Sequence, residues 1–342
     1  MRLAAASIVA ALAIASLAAQ SDSFKLGRFT QGGRTFLGVV VEDKTVAEIP
    51  SSVGSSLRAI IADYAKHRAA LRDLAAKARG GKGTGIHALA SLDTLAPIPD
   101  PLSMLNAAVN YVEHGNEMAR AGGAASPAPP APAPIPGIWE RKAGDTRQNP
   151  YLFPKLPAAI TSDGDPIRLP AGRDRVDWEC ELAVVIGRAA DHVTPEQAKD
   201  YVFGYTLMND VSDRGGRADA RHGSDWLLGK SHPTFAPLGP FVVPQEFVPD
   251  PHKMPITFTL SGKVMQDSNT DRMTHNVYEL ISYASHILTL QPGDIIATGS
   301  PAGVGTARET PIYMKAGDVS VCTIGNIGTL TNPVVAASRG SR

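Results

Sequence analysis

Cysteine is almost absent from this chain of 342 residues, with only Cys180 and Cys322 present. Two residues cannot supply the disulfide framework of a small secreted scaffold, and no cysteine–histidine cluster offers a zinc site. Aromatic residues make up only 6% of the chain, which argues against a stacking platform for single-stranded nucleic acid. Charge of neither sign dominates, since 33 Lys and Arg face 33 Asp and Glu. That balance excludes both a basic nucleic-acid surface and an acidic tail. Beyond residue 19 no apolar run is long enough to cross a bilayer. The composition suits a small-molecule enzyme, and equally an inert globular protein, in a chain long enough for one large domain or two.

The N-terminus is more specific. Met1-Arg2 leads into the Ala-rich apolar run Leu3–Ala19, which ends in Ser16-Leu17-Ala18-Ala19 and turns polar at Gln20-Ser21-Asp22. A basic start, a modest apolar centre and small residues at the end read as a secretory signal peptide over residues 1–19. Export to the periplasm is therefore expected, with no membrane attachment once the segment is removed. Cys180 and Cys322 are each expected as buried free thiols.

Three further regions follow. Residues 23–98 read as a small N-terminal α/β domain. Phe24–Pro50 is an antiparallel meander with turns at Gly32-Gly33 and Glu42-Asp43-Lys44. Ser51 or Ser52 then caps a helix carrying Leu57, Ile60, Ile61, Tyr64, Leu71 and Leu74 at helical spacing. Gly80–Gly85 lacks the frame of a phosphate-binding loop and reads as a plain loop. Residues 100–335 form the larger unit, interrupted by an Ala/Pro-rich loop at 121–137 whose prolines keep it out of helix and sheet. From Leu156 onward the pattern is short strands with frequent turns. One clear helix carries Val277, Leu280, Ile281, Ala284, Ile287 and Leu288 on one face, and Thr194-Pro195-Glu196-Gln197 has a capping box. The fold class is α+β, mostly β.

The densest chemistry lies in Asp177-Trp178-Glu179-Cys180-Glu181-Leu182, at the entry to the apolar run Leu182–Ile186. If that run is a strand, alternation puts Glu179 and Glu181 on one face and Cys180 on the other. Paired carboxylates repel and lose hydration, so a positive group is expected between them. Asp210, in Asn209-Asp210-Val211-Ser212, can complete the set. Three hard oxygen ligands with no His or Cys nearby favour Mg²⁺, Mn²⁺ or Ca²⁺ over zinc. A second pair is His114 and Glu117, three apart in Asn110-Tyr111-Val112-Glu113-His114-Gly115-Asn116-Glu117. On a helical turn the carboxylate can bond one imidazole nitrogen and raise the basicity of the other.

These segments occur in a fixed order. After them come Gly229-Lys230-Ser231, Pro237-Leu238-Gly239-Pro240, Asn269, Leu290-Gln291-Pro292-Gly293-Asp294, Thr298-Gly299-Ser300-Pro301 and Gly328–Val334. The series resembles the fumarylacetoacetate hydrolase family, over roughly residues 100–335 and more loosely over 24–95. The resemblance implies a mixed β-sandwich roll, a homodimer, and Mg²⁺ (or Mn²⁺) held by Glu179, Glu181 and Asp210. It makes His114 and Glu117 the dyad that activates water, and places Lys230 beside a developing enolate. Ser300 matches a family Thr that contacts the substrate carboxylate, and Tyr111 and Arg217 are further substrate-binding candidates. Arg217 stands where many members carry Gln, which suits a second anionic group on the substrate or, equally, an outward turn to bind Asp219.

The reaction implied is metal-dependent hydrolysis of a carbon–carbon bond in an acylpyruvate or fumarylpyruvate type of 1,3-diketone acid. Decarboxylation or isomerisation of a 2-oxo acid on the same fold is the alternative. A non-catalytic exported binding protein is a third reading.

Overall fold

The computed structural model describes residues 22–121, 144–145, 147–215 and 225–337. The signal-like segment 1–19, residues 122–137 of the Ala/Pro-rich stretch, and Arg217 lie outside them.

The meander forms where its turn residues place it, as β1 (Lys25–Gln31), β2 (Arg34–Val41) and β3 (Thr45–Glu48). The helix that follows differs from expectation at its start and in its middle. It is two helices, α1 (Leu57–Ala62) and α2 (Tyr64–Arg79), which meet at Asp63. The cap is Ser56, whose hydroxyl accepts from Ala59 N, and not Ser51 or Ser52. A cap must stand directly before the first helical residue to reach the unpaired amides of the first turn.

Further along lie β4 (Met104–Ala107), α3 (Val112–Ala121), β5 (Cys180–Ile186) and β6 (Val202–Asn209). Next come the short α4 (Trp226–Lys230), β7 (Ala236–Pro244), β8 (Pro255–Leu260) and β9 (Lys263–Asn269). The order ends with α5 (Val277–Ser285), β10 (Ile295–Ala297), β11 (Val319–Ile324) and β12 (Gly328–Val335). Thr194 and Gln197 make the expected capping box on a single helical turn, Pro195–Ala198. α5 stops short of expectation: the amides of His286 and Ile287 turn back three residues, and Ile287 is 56% exposed.

Among the described residues strand outweighs helix, and the sheets are mixed. A twelve-stranded sheet runs β3-β2-β1-β7-β6-β5-β10-β4 through its centre, and joins the meander to the later strands through the pair Leu26↔Val242. A five-stranded sheet, β9-β8-β11-β12 followed by Ile167–Arg168, packs against the middle of the first. β8 alternates buried and partly exposed residues, as a strand with one wet face must. β5, β6 and β7 are buried at every position, which explains their continuous apolar runs. One apolar core extends from Phe24 and Leu26 to Trp178, Phe258 and Leu330.

The cysteines require a correction. Both are buried as expected, but they are not free thiols: Cys180 and Cys322 form a disulfide, with Cα atoms 5.5 Å apart. Cys180 does face away from the two glutamates, and that face of β5 meets β11 of the second sheet. A separation of 142 residues hides this opposition from any local pattern.

Candidate active site

The site is built where three chain segments converge on the end of β5. Cys180 pairs with Asn209 and Glu181 with Met208 across β5 and β6. The ladder continues one step further, because Asp210 N donates to Glu179 O at 2.8 Å and Glu179 N donates to Asn209 Oδ1 at 3.0 Å. Antiparallel pairing thus brings Asp210 beside the two glutamates. One oxygen from each of the three carboxylates lies within 4.8 Å of the others, and all three residues are buried.

Cations surround this cluster. Lys230, delivered by the last residue of α4, bonds Glu179 Oε2 and reaches Asp210 Oδ2 at 2.6 Å. Lys155 donates to Asp210 Oδ1 at 2.5 Å and to Val211 O at 2.9 Å. Arg214 spans Asp177 Oδ2 at 2.9 Å and Glu179 Oε1 at 2.8 Å. Burial pushes the Lys155 ammonium down to about 8, although Asp210 works in the opposite sense. Burial also works against ionised Glu179, but Lys230, Arg214 and His114 outweigh it and hold the carboxyl well below the usual range.

Glu181 is the odd one out. Gly299 N donates to its Oε2 at 2.8 Å, and among the described residues no cationic side chain comes within ion-pair distance of it. Burial, with Asp210 and Glu179 beside it, lifts this carboxyl well above the ordinary range. Four buried carboxylates (Asp177, Glu179, Glu181, Asp210) therefore face three buried cations (Lys155, Arg214, Lys230), with Glu117 a fifth carboxylate on the opposite wall, so negative groups outnumber positive ones. A hard divalent cation fits this donor set, since it supplies the charge that Glu181 lacks and finds three oxygen ligands.

The dyad closes the opposite wall. His114 and Glu117 lie on α3, with His114 Nδ1 2.7 Å from Glu117 Oε1. A carboxylate only accepts, so Nδ1 carries the proton, and Nε2 stands 3.9 Å from Glu179 Oε1. Gly303 N fixes the other carboxylate oxygen of Glu117 at 2.8 Å. Gly303 has φ +106°, and a Cβ there would come within 2.1 Å of Met265 O, so only glycine fits. Val109, just before α3, also lines the cavity and holds φ +53°, a strained value for a β-branched residue.

The cavity between these walls is lined by His114, Glu179, Glu181, Arg214, Lys230 and Ser300, with Phe153 and Trp226 in contact nearby at 4.6 Å. Ser300 is buried, and its Oγ accepts from Gln266 Nε2 at 2.7 Å. Tyr111 is fully buried and does not line the cavity, and its hydroxyl has no hydrogen-bond partner among the described residues. Arg217 lies outside the described residues. Sequence reasoning assigned no role to Lys155, Arg214 or Gln266. Arg214 lies two residues beyond the Asn209–Ser212 segment, whereas Lys155 and Gln266 carry no local signal. Roomier grooves beside Phe24 and Tyr64 hold no comparable convergence of buried charge.

Residues 103–335 match the fumarylacetoacetate (FAA) hydrolase C-terminal family. The mitochondrial oxaloacetate tautomerase of Xenopus laevis is 38% identical over 245 residues, covering 72% of this chain and 69% of that protein. Maleylpyruvate hydrolase from Sphingobium sp. SYK-6, solved with manganese(II) and pyruvate, superposes with a TM-score of 0.70 at 29% identity, covering 92% of this chain and 100% of that one. A 5-carboxymethyl-2-hydroxymuconate delta-isomerase from Mycobacterium smegmatis gives a TM-score of 0.67 at 30% identity, with coverage of 92% and 100%. With its ordered motifs, its acidic triad and relatives this similar, the chain belongs to the fumarylacetoacetate hydrolase family.

Proposed function

We propose that the chain is a divalent-metal-dependent enzyme that interconverts the keto and enol forms of a 2-oxo dicarboxylic acid of the oxaloacetate type. The observation that carries this reading is the buried His114–Glu117 dyad, whose free imidazole nitrogen faces the acidic triad across the cavity. The 38% identity to an oxaloacetate tautomerase supports the choice of substrate class. Glu179, Glu181 and Asp210 would hold Mg²⁺ or Mn²⁺, which when bound supplies a Lewis acid for adjacent carbonyl and carboxylate oxygens.

His114 Nε2 takes the proton from the carbon next to the carbonyl, and Glu117 stabilises the imidazolium so formed. Lys230 places its ammonium beside the negative charge that develops on oxygen. The same proton then passes from Nε2 to that oxygen, giving the enol and restoring the dyad. Ser300 Oγ and Arg214 orient the substrate carboxylates.

Hydrolysis of an acylpyruvate is the second reading. It uses the same dyad to deprotonate water, and the likeness to a maleylpyruvate hydrolase favours it. Export of the mature chain and a homodimeric assembly are part of the proposal, on the sequence pattern and the family resemblance respectively.

The test is a pair of assays on purified protein with Mg²⁺ or Mn²⁺. One follows decay of the oxaloacetate enol absorbance above its spontaneous rate. The other follows pyruvate release from acylpyruvates. Enol decay that falls by about 10²–10⁴ in His114→Ala supports the tautomerase. Pyruvate release without enol decay moves the assignment to the hydrolase, and neither activity in either assay sinks both.

A further inference from the structure

We propose that the Cys180–Cys322 disulfide is a clamp that positions the acidic triad, so that affinity for a divalent cation depends on this bond. The inference rests on reading Glu179, Glu181 and Asp210 as a metal site. Cys180 is the residue between the two glutamates, and β5 alternates. Whatever holds its Sγ therefore sets the rotation of the strand about its own axis, and with it the direction of both carboxylates.

The anchor on the other side is rigid. Cys322 sits inside β11, paired with Phe258 on one flank and Leu330 on the other. Two further contacts fix the same stretch. Cys180 N donates to Gln266 Oε1 at 3.2 Å, and Gln266 passes the constraint to Ser300 Oγ in the site. Trp178 stacks on Phe258 with the rings 9° from parallel. Trp178 and Cys180, at the entry to β5, are thus tied to the second sheet by three contacts, directly behind the ligands. Metal affinity is sensitive to groups that orient ligands without touching the ion.

Both cysteines are fully buried, so exchange with an external thiol requires the sheets to part. The bond acts as a fixed clamp and not as a rapid switch. Reduction needs a dithiol: its thiolate attacks one sulfur, and its second thiol resolves the mixed disulfide. Two electrons and two protons then end on Cys180 and Cys322, and the reductant leaves as a cyclic disulfide.

The experiment is a calorimetric Mn²⁺ titration of the wild type, Cys180→Ala/Cys322→Ala, and Leu71→Ala. It is run where circular dichroism shows all three folded. Leu71 is buried in α2, away from the site, so its loss lowers stability without touching the triad. The clamp predicts that the cysteine pair variant binds Mn²⁺ about 10-fold or more weakly, while Leu71→Ala stays near wild type despite its lower melting temperature. Unchanged affinity in the cysteine variant overturns the clamp alone. A wild type that binds no Mn²⁺ overturns the metal reading and the clamp with it. If the variant does not fold, wild-type protein reduced by a dithiol, its two added hydrogens confirmed by mass, takes its place in the same titration. Two alkylatable thiols in unreduced protein from an oxidising compartment would also overturn the proposal.

Discussion

Glu117 is held from both sides, by the His114 imidazole on one oxygen and the Gly303 amide on the other. Glu117→Gln keeps the shape, but its amide cannot accept from both Nδ1–H and the Gly303 N–H. One donor is left facing another, and enol decay is expected to fall by about 10²–10⁴ with metal affinity preserved. Equal activity in Glu117→Gln would remove the carboxylate from the mechanism. Gly303→Ala acts on the same contact from behind, because the new Cβ meets Met265 O at 2.1 Å and the backbone sits at φ +106°. It should destabilise the fold by about 1–3 kcal/mol from backbone strain alone. Turnover should fall further than stability accounts for, which is checked by assaying well below the variant's melting temperature.

At the scale of elements, one carboxylate ties α2 to the residues following β7. Glu246 accepts from Tyr64 at 2.6 Å and from Arg72 at 2.9 Å, and pairs with Arg68. Burial alone would raise its carboxyl, but the bonds from Arg68, Tyr64 and Arg72 bring it down to about 2. A folded value below the unfolded 4.5 means that the tie contributes fully above pH 4.5 and is lost as pH falls toward 2. Discounted for the exposure of the arginines, it contributes about 1–2 kcal/mol. Glu246→Gln should therefore lower the unfolding free energy by that amount at pH 7 and by progressively less between pH 4.5 and 2. A constant difference across that range would show that the tie is not ionic. The disulfide acts at the same scale. By closing a loop of 142 residues it restricts the unfolded chain, contributing up to about 5 kcal/mol on an entropic account.

For the whole molecule, a cation that binds only the folded chain must stabilise it. At a free concentration 100 times the dissociation constant the gain is about 2.7 kcal/mol. For a chain of this size that is a rise in melting temperature of roughly 4 °C. Mn²⁺ or Mg²⁺ should produce it, chelator should reverse it, and Glu181→Gln should abolish most of it, since Glu181 is the carboxylate with no cation of its own. A melting temperature indifferent to both ions at millimolar levels would argue that the triad is balanced by protein groups alone. No helix among the described residues is long and apolar enough to cross a membrane.

The sequence alone determined whatever depends on near neighbours. The alternation of Glu179, Cys180 and Glu181, the three-residue spacing of His114 and Glu117, the two turns of the meander and the capping box at Thr194 are all local. Each follows from backbone periodicity or from the reach of one side chain. The order of motifs added the family and, through it, Lys230 and Ser300. Local pattern failed where several serines precede one helix, so that Ser56 and neither Ser51 nor Ser52 caps α1, or where an apolar face outlasted its helix at Ile287. Only the tertiary structure decided which distant residues meet. It brought Lys155 onto Asp210, Arg214 across Asp177 and Glu179, and Gln266 between Cys180 and Ser300. It also joined Cys180 to Cys322, because packing one sheet on another opposes residues whose separation along the chain leaves no trace in either segment.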